Sequence, residues 1–395
     1  MTSRLLSDFS ISAAVAGLVA LIATYSGPVL IVVQAAQAGH LSQDLLSSWI
    51  WALSVGAALL GLYLSLYRKI PVIGAWSTPS VALLISGLTQ YSFSDVIGCY
   101  VVLTVLVAFL GVSGLFSKLM KHLPMHLLSA MIAGVMFQFC AKIFLSLQAF
   151  PRVVLPVIVV YLLCRRIIPR YAVAFALLTG VVGAYFTTQI SQQVDLTLVK
   201  PVLTLPTFSI EVLLGLGIPL FLLALTQYAT GIAILRNAGY DISPRMIVGS
   251  SGIISIPLAL FGSSGINPAA IVGAICASSE CHPDPKRRYI SGVVCGIGYL
   301  CVGIFGASFV AMFSLLPSGL IATLTGLALL GTLVSSLSGS LADEGNRESA
   351  LITFVVTVSG MSFLGLGSAL WGLFAGLIFT FALEWKRPKQ ITAVK

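Results

Sequence analysis

Apolar runs of about twenty residues follow one another along almost the whole chain. Each is long enough to cross a hydrocarbon core about 30 Å thick. No other feature limits the fold so strongly, because in lipid every backbone amide and carbonyl must be satisfied within the protein. That leaves helices or closed barrels, and the length of the runs selects helices. Only 8% of the 395 residues are charged, against roughly a quarter in a soluble domain, so a water-facing coat cannot be assembled. The first run, Ile11 to Ala35, is too long for the core of a cleavable leader and is expected as a retained span.

Hydropathy and breaker residues divide the chain into fourteen expected segments. The first seven lie near 10–37, 45–67, 70–88, 94–116, 124–148, 150–168 and 171–191. The second seven lie near 209–235, 245–261, 262–279, 289–315, 318–340, 349–366 and 368–385. Basic residues follow the even segments: Arg68 and Lys69; Lys118 and Lys121; Arg165, Arg166 and Arg170; Arg236 and Arg245; Lys286, Arg287 and Arg288; Arg347; then Lys386, Arg387 and Lys389. The opposite ends hold only Lys142, Arg152 and Lys200. This alternation places both termini in the cytoplasm. It also accounts for the net charge of +9 as membrane orientation, with no nucleic-acid partner. The seven cysteines lie mostly within apolar runs and read as small buried hydrophobes, with no disulfide framework or metal cluster.

Segments three and ten are too short and too interrupted for ordinary spans. One reads IPVIGAWSTPSVALLISG (Ile70 to Gly87), the other FGSSGINPAAIVGAICAS (Phe261 to Ser278), and their prolines are 189 residues apart. They hold the same place in each half of seven, and seven is odd, so the halves insert with opposite orientation. Matched Gly/Pro-interrupted segments of this kind mark transporter binding sites. Each is expected as an extended half-crossing followed by a half-helix, with Thr78 and Asn267 as N-caps and proline in the first turn. Their N-termini would then converge on one spot suited to an anion.

LIATYSGPVLIV (Leu21 to Val32) resembles LLALTQYATGIAIL (Leu222 to Leu235), and both place polar groups mid-span. The candidate site is therefore Tyr25, Trp76, Ser77, Thr78, Gln227, Tyr228, Ser264, Gly265 and Asn267, with Gln34 and Thr226 nearby. Amides and hydroxyls would bind an anion, and the aromatic rings would stack on an aromatic one. All twelve carboxylates fall in loops or near segment ends, so no proton-relay carboxylate stands out. His282 with Glu280 and Asp284 reads as a solvated loop cluster. Motifs of hydrolases, zinc peptidases and nucleotide-binding loops are missing. An enzyme is not expected, no cofactor is implied, and transport would be gradient-driven or passive. A channel or a structural membrane protein is the rival class, separable by saturable uptake.

The stretches PVIGAWSTPSVALLISG, IPLFLLALTQYATGIAILRNAGY, GINPAAIVGAICASSECHPDPKRR and FVVTVSGMSFLGLGSALWGLFAGLI resemble the benzoate:proton symporter family (BenE) across the chain. The resemblance implies the fold of nucleobase and sulfate/bicarbonate transporters: an all-α membrane protein of fourteen segments in two inverted repeats of seven. It implies a core domain (1–122 and 208–316), a gate domain (123–207 and 317–395) and elevator-like movement between them. The implied ligands are a small aromatic carboxylate and a proton; a homodimer in the bilayer is consistent with that fold. Uracil transporters carry a glutamate where Gln227 stands, which argues against a nucleobase. A small inorganic anion or nucleobase remains the alternative cargo.

Overall fold

The computed structural model describes residues 8–188, 198–308 and 316–384. Lys386, Arg387, Lys389 and the far ends of the seventh and eleventh expected segments lie outside the described residues. The first run makes α1 (Ile11–Ser26) and α2 (Pro28–Ala38), one path broken at Gly27 because Pro28 has no N–H to continue the ladder. α3 (Gln43–Arg68) returns, its first turn capped by the Ser42 hydroxyl. β1 (Gly74–Trp76), α4 (Thr78–Gly87) and α5 (Phe93–Ser113) follow, then α6 (Met125–Ala149), α7 (Pro151–Ile167) and α8 (Ala172–Thr188).

α9 (Ile218–Asn237) is entered through a π turn at Leu213–Gly217. Next come α10 (Pro244–Ala259), β2 (Ile266–Pro268), α11 (Ile271–Ala277) and α12 (Tyr289–Ile304). The chain closes with α13 (Ser318–Ser340), α14 (Arg347–Val358), β3 (Ser362–Phe363), β4 (Leu366–Gly367) and α15 (Ser368–Phe379). Among the described residues, six helical paths are long and apolar enough to cross a membrane: Ile11–Ala38, Gln43–Arg68, Phe93–Ser113, Met125–Ala149, Ile210–Asn237 and Ser318–Ser340. Large exposed apolar side chains such as Ile11, Phe144 and Phe186 suit a lipid-facing surface. The thirteenth expected segment, 349–366, stops being helical at Val358. A β3–β4 hairpin follows, with positive φ at Gly360, Leu364 and Gly365.

Packing falls into two sets. α6 packs most extensively on α13, and α14 and α15 complete that layer beside the α7–α8 pair. In the other set α5 packs on α10, α12 lies across α3 and α1, and both strands are held inside. Contacts between the sets are sparser and involve α4 with α6, α2 with α13, and α9 with α15.

The two interrupted segments lie at the heart of the second set. The first begins where Lys69 meets Asp8, just before α1, and ends with Leu88 against Gly39 at the far end of α2. The 28-residue path Ile11–Ala38 between those points is about 40 Å long. The ten residues of α4 cover only about 15 Å of it, so the rest must be extended. The other segment runs the opposite way, from Phe261 near Ser48 to Cys276 near Ala16.

Candidate functional site

β1 and β2 pair with each other. They run antiparallel, with Gly74 opposite Pro268, Ala75 opposite Asn267 and Trp76 opposite Ile266. The Ala269 amide extends the ladder by donating to the Ile73 carbonyl at 2.8 Å. The pairing answers the problem posed by extended backbone at membrane depth, because the polar groups of one piece satisfy those of the other.

The N-caps differ from the expectation. Thr78 is the first residue of α4, and Ser77 is its cap: the Ser77 hydroxyl accepts from the Ser80 amide at 3.2 Å and from Ser80 Oγ at 2.6 Å. Asn267 is no cap either. It lies within β2, buried, and α11 starts only at Ile271 after Ala270, without a side-chain cap. The ladder captures the backbone through Ala269, which delays the helix past its proline. α11 is accordingly only seven residues long. Its last turn is closed by the buried Arg288, which donates to the carbonyls of Ala277 (2.7 Å), His282 (2.7 Å) and Pro283 (3.2 Å). A cation on the final carbonyls of a helix is favourable electrostatically.

Between the strand pair and its neighbours lies a narrow cavity lined by Ser77, Thr104, Tyr228, Ser255, Ser264 and Asn267, with Gly265 and apolar Leu103, Val107 and Ala224 completing the wall. It has room for about one water molecule. Gly265 takes φ +99°, a conformation that suits glycine, to turn the chain into β2. The Tyr228 hydroxyl donates to the Ile266 carbonyl at 2.7 Å and lies 2.6 Å from Ser251 Oγ, which reaches the same carbonyl. The Ile266 amide in turn donates to Ser255 Oγ at 3.2 Å. Tyr228 thus clamps β2. The Ser264 hydroxyl is buried in the cavity wall and makes no hydrogen bond of good geometry, although the Tyr100 hydroxyl is near.

Five of the expected residues, Ser77, Tyr228, Ser264, Gly265 and Asn267, therefore meet at one cavity. Tyr25 and Trp76 meet elsewhere. Their rings stand edge to face at 5.7 Å, joined by Tyr299 at 5.9 Å from Tyr25 and 6.1 Å from Trp76. The Tyr25 hydroxyl pairs with Ser54 Oγ at 3.1 Å, and Tyr299 with Thr24 at 2.6 Å. Gln227 is half-buried on α9 and outside the cavity lining, since the next position on a helix points about 100° away. Thr78 is likewise outside the lining. Gln34, on α2 between α4 and α13, keeps an unpaired Oε1. Thr104 and Ser255 were not expected, since a lone hydroxyl in an apolar helix carries no signal in one dimension.

Charges lie at the helix ends. Asp8 binds Lys69 Nζ at 2.8 Å and accepts from the Tyr289 hydroxyl at 2.9 Å. Those two bonds hold its carboxyl below the usual carboxylate range. His282 sits in its loop, where Nδ1 accepts from the Asp284 amide at 3.0 Å.

The model of a family described as benzoate membrane transport protein (BenE) matches residues 7–382. The chain is 38% identical over 385 residues to the benzoate membrane transport protein of Acinetobacter baylyi, covering 97% of this chain and 98% of that one. It is 36% identical over 370 residues to inner membrane protein YdcO of Escherichia coli, covering 91% and 93%. Among solved structures, the transmembrane domain of the cyanobacterial bicarbonate transporter BicA superposes with a TM-score of 0.59 at 16% identity, covering 93% of this chain and 97% of that one. That likeness concerns the fold.

Proposed function

We propose that this chain, which belongs to the benzoate membrane transport protein family, imports benzoate or a related aromatic carboxylate together with a proton. As a member of a membrane transport family it is a carrier and not an enzyme. The observation that carries the reading is the antiparallel β1–β2 pair with a polar cavity on its flank. A carboxylate would meet hydroxyls and amides around Ser77, Ser264 and Asn267. The aromatic cluster of Tyr25 on α1, Tyr299 on α12 and Trp76 at the end of β1 stands beside the strand pair and would receive a ring once the site widens.

A cavity for one water is far too small for benzoate, so the cargo enters only when the surroundings move. The two packing sets support a division into core (1–122, 208–316) and gate (123–207, 317–395) that slide past one another like an elevator. The opposite courses of the third and tenth segments support fourteen segments in two inverted repeats. The basic loops favour cytoplasmic termini in a bacterial inner membrane, in line with the name of the Escherichia coli relative.

Uptake of labelled benzoate into proteoliposomes under an imposed pH gradient, inside alkaline, tests the proposal. Saturable uptake that collapses with the gradient is expected; uptake no higher than in empty vesicles overturns it. The small cavity also favours a second reading, a carrier of a small inorganic anion. Competition by bicarbonate and sulfate but not by benzoate would select it.

A further inference from the structure

The lining of the cavity bears on where the coupled proton travels, and we propose that it rides on the substrate's own carboxyl group, so that the aromatic acid crosses the membrane in its neutral form. This rests on the reading above that the cavity takes an aromatic carboxylate.

The polar groups at the cavity are Ser77, Thr104, Ser255 and Ser264, the phenol of Tyr228 and the carboxamide of Asn267. No carboxylate, imidazole, ammonium or guanidinium lines it among the described residues. The charges on the surrounding elements all stand at helix ends. On α5 the carboxylate is Asp95 in the first turn, held by the Ser92 and Thr207 hydroxyls at 2.6 Å each. Nine residues of helix, about 13 Å, separate it from Thr104. On α10, Arg245 in the first turn donates to the Val112 carbonyl, and on α9, Arg236 in the last turn donates to the Ile242 carbonyl. α3 carries Asp44 and Arg68 at its two ends, while β1, α4, β2 and α11 carry no charge. The remaining titratable side chains on these elements are the Tyr63, Tyr67 and Tyr100 phenols and the Cys99 and Cys276 thiols.

A carboxylate enclosed here would have no counter-charge, and burial without one favours the neutral form. The donor and acceptor pattern agrees. A carboxylate only accepts, whereas a carboxylic acid offers one O–H donor and one carbonyl acceptor. Hydroxyls and a carboxamide can do both. Ser264 is 6% exposed and lacks a well-formed hydrogen bond; it is free to donate to the acid's carbonyl, while the acid's O–H is received by a neighbouring oxygen. At the outer face a carboxylate oxygen takes a proton from water and an O–H bond forms. At the inner face that bond breaks and the proton returns to water. One carboxylate and one proton move together, no net charge crosses, and nothing is oxidised or reduced.

The test uses the full chain in proteoliposomes in which benzoate uptake has first been measured; absent uptake there refutes the transport reading itself. Benzamide, a neutral isostere with a donor and an acceptor, is expected to compete with benzoate. Benzenesulfonate, which stays anionic, should compete at least about tenfold less well. An imposed membrane potential without a pH gradient should drive no uptake. Asp95→Asn, Glu211→Gln just before the π turn that leads into α9, and His126→Gln in the first turn of α6 should each keep the coupling to the pH gradient. Potential-driven uptake, benzenesulfonate competing as well as benzoate, or uncoupling by any of the three variants overturns the proposal.

Discussion

At the scale of single residues the cavity sorts its hydroxyls into two kinds. Tyr228 spends its hydroxyl on the Ile266 carbonyl and Ser251, so its role is to fix β2. Ser264 spends nothing of good geometry. Tyr228→Phe should therefore lower stability by about 1 kcal/mol, read as a drop in melting temperature in detergent. Ser264→Ala should leave the melting temperature unchanged or slightly higher, yet weaken benzoate binding about tenfold, the value of roughly one hydrogen bond. If the two variants behave alike, the distinction fails. The sequence made one kind of residue legible: Ser77, Gly265 and Asn267 flank a break in helical patterning, and such breaks stand out against apolar runs. Thr104 and Ser255 stayed hidden because an isolated hydroxyl can bond its own helix, as Thr104 does to the Tyr100 carbonyl at 2.8 Å. Trp76 turns to Tyr25 and Tyr299 and away from the cavity, and which face of β1 a side chain occupies depends on strand register, a long-range property.

Elements show the same limit more sharply. Matching the prolines of the third and tenth segments implies two equal half-helices, yet α4 has ten residues and α11 seven. The cause is the strand pair, which holds the second segment extended past its proline, and pairing partners 190 or more residues apart leave no local trace. Arg288 was counted with the loop charges that orient the chain; its grip on the end of α11 emerges only from the fold. Three carbonyls at fixed positions call for a planar fork, which an ammonium does not supply. Arg288→Lys should cost about 1–3 kcal/mol, seen as a lower melting temperature and reduced uptake, although the charge is kept. A wild-type melting temperature would mean that charge alone suffices. The seat of β2 on α9 is equally tight. A Cβ at Gly231 would stand 2.4 Å from the Pro268 carbonyl oxygen. Gly231→Ala should shift β2 and destabilise by about 1–3 kcal/mol, whereas Gly273→Ala, where a Cβ meets nothing within 4 Å, should be silent.

For the whole molecule the decisive question is what holds the two packing sets together in the arrangement seen. A cleft between them is lined by Ser86 and Gln90 on one side and by Gln138, Thr357 and Ser368 on the other. One hydrogen bond bridges it directly: the Tyr91 hydroxyl, just beyond α4, donates to the Gly365 carbonyl in the β3–β4 hairpin. Gln138 and Ser368 spend their donors within their own set, on the carbonyls of Thr357 and Val358. Burial raises the Tyr91 phenol above its ordinary range, so it stays a neutral donor at physiological pH. Removing that donor should favour separation of the sets at this end. With a cysteine placed at Ser368 in a background freed of native cysteines, Tyr91→Phe should speed labelling by a water-soluble thiol reagent about fivefold, the effect of one lost hydrogen bond of roughly 1 kcal/mol. Saturating benzoate should change the labelling rate in both backgrounds, since a ligand bound between moving parts must prefer one arrangement. Equal labelling with and without Tyr91 would show that apolar packing of α4 on α6 alone keeps the cleft closed, and the latch would be dismissed.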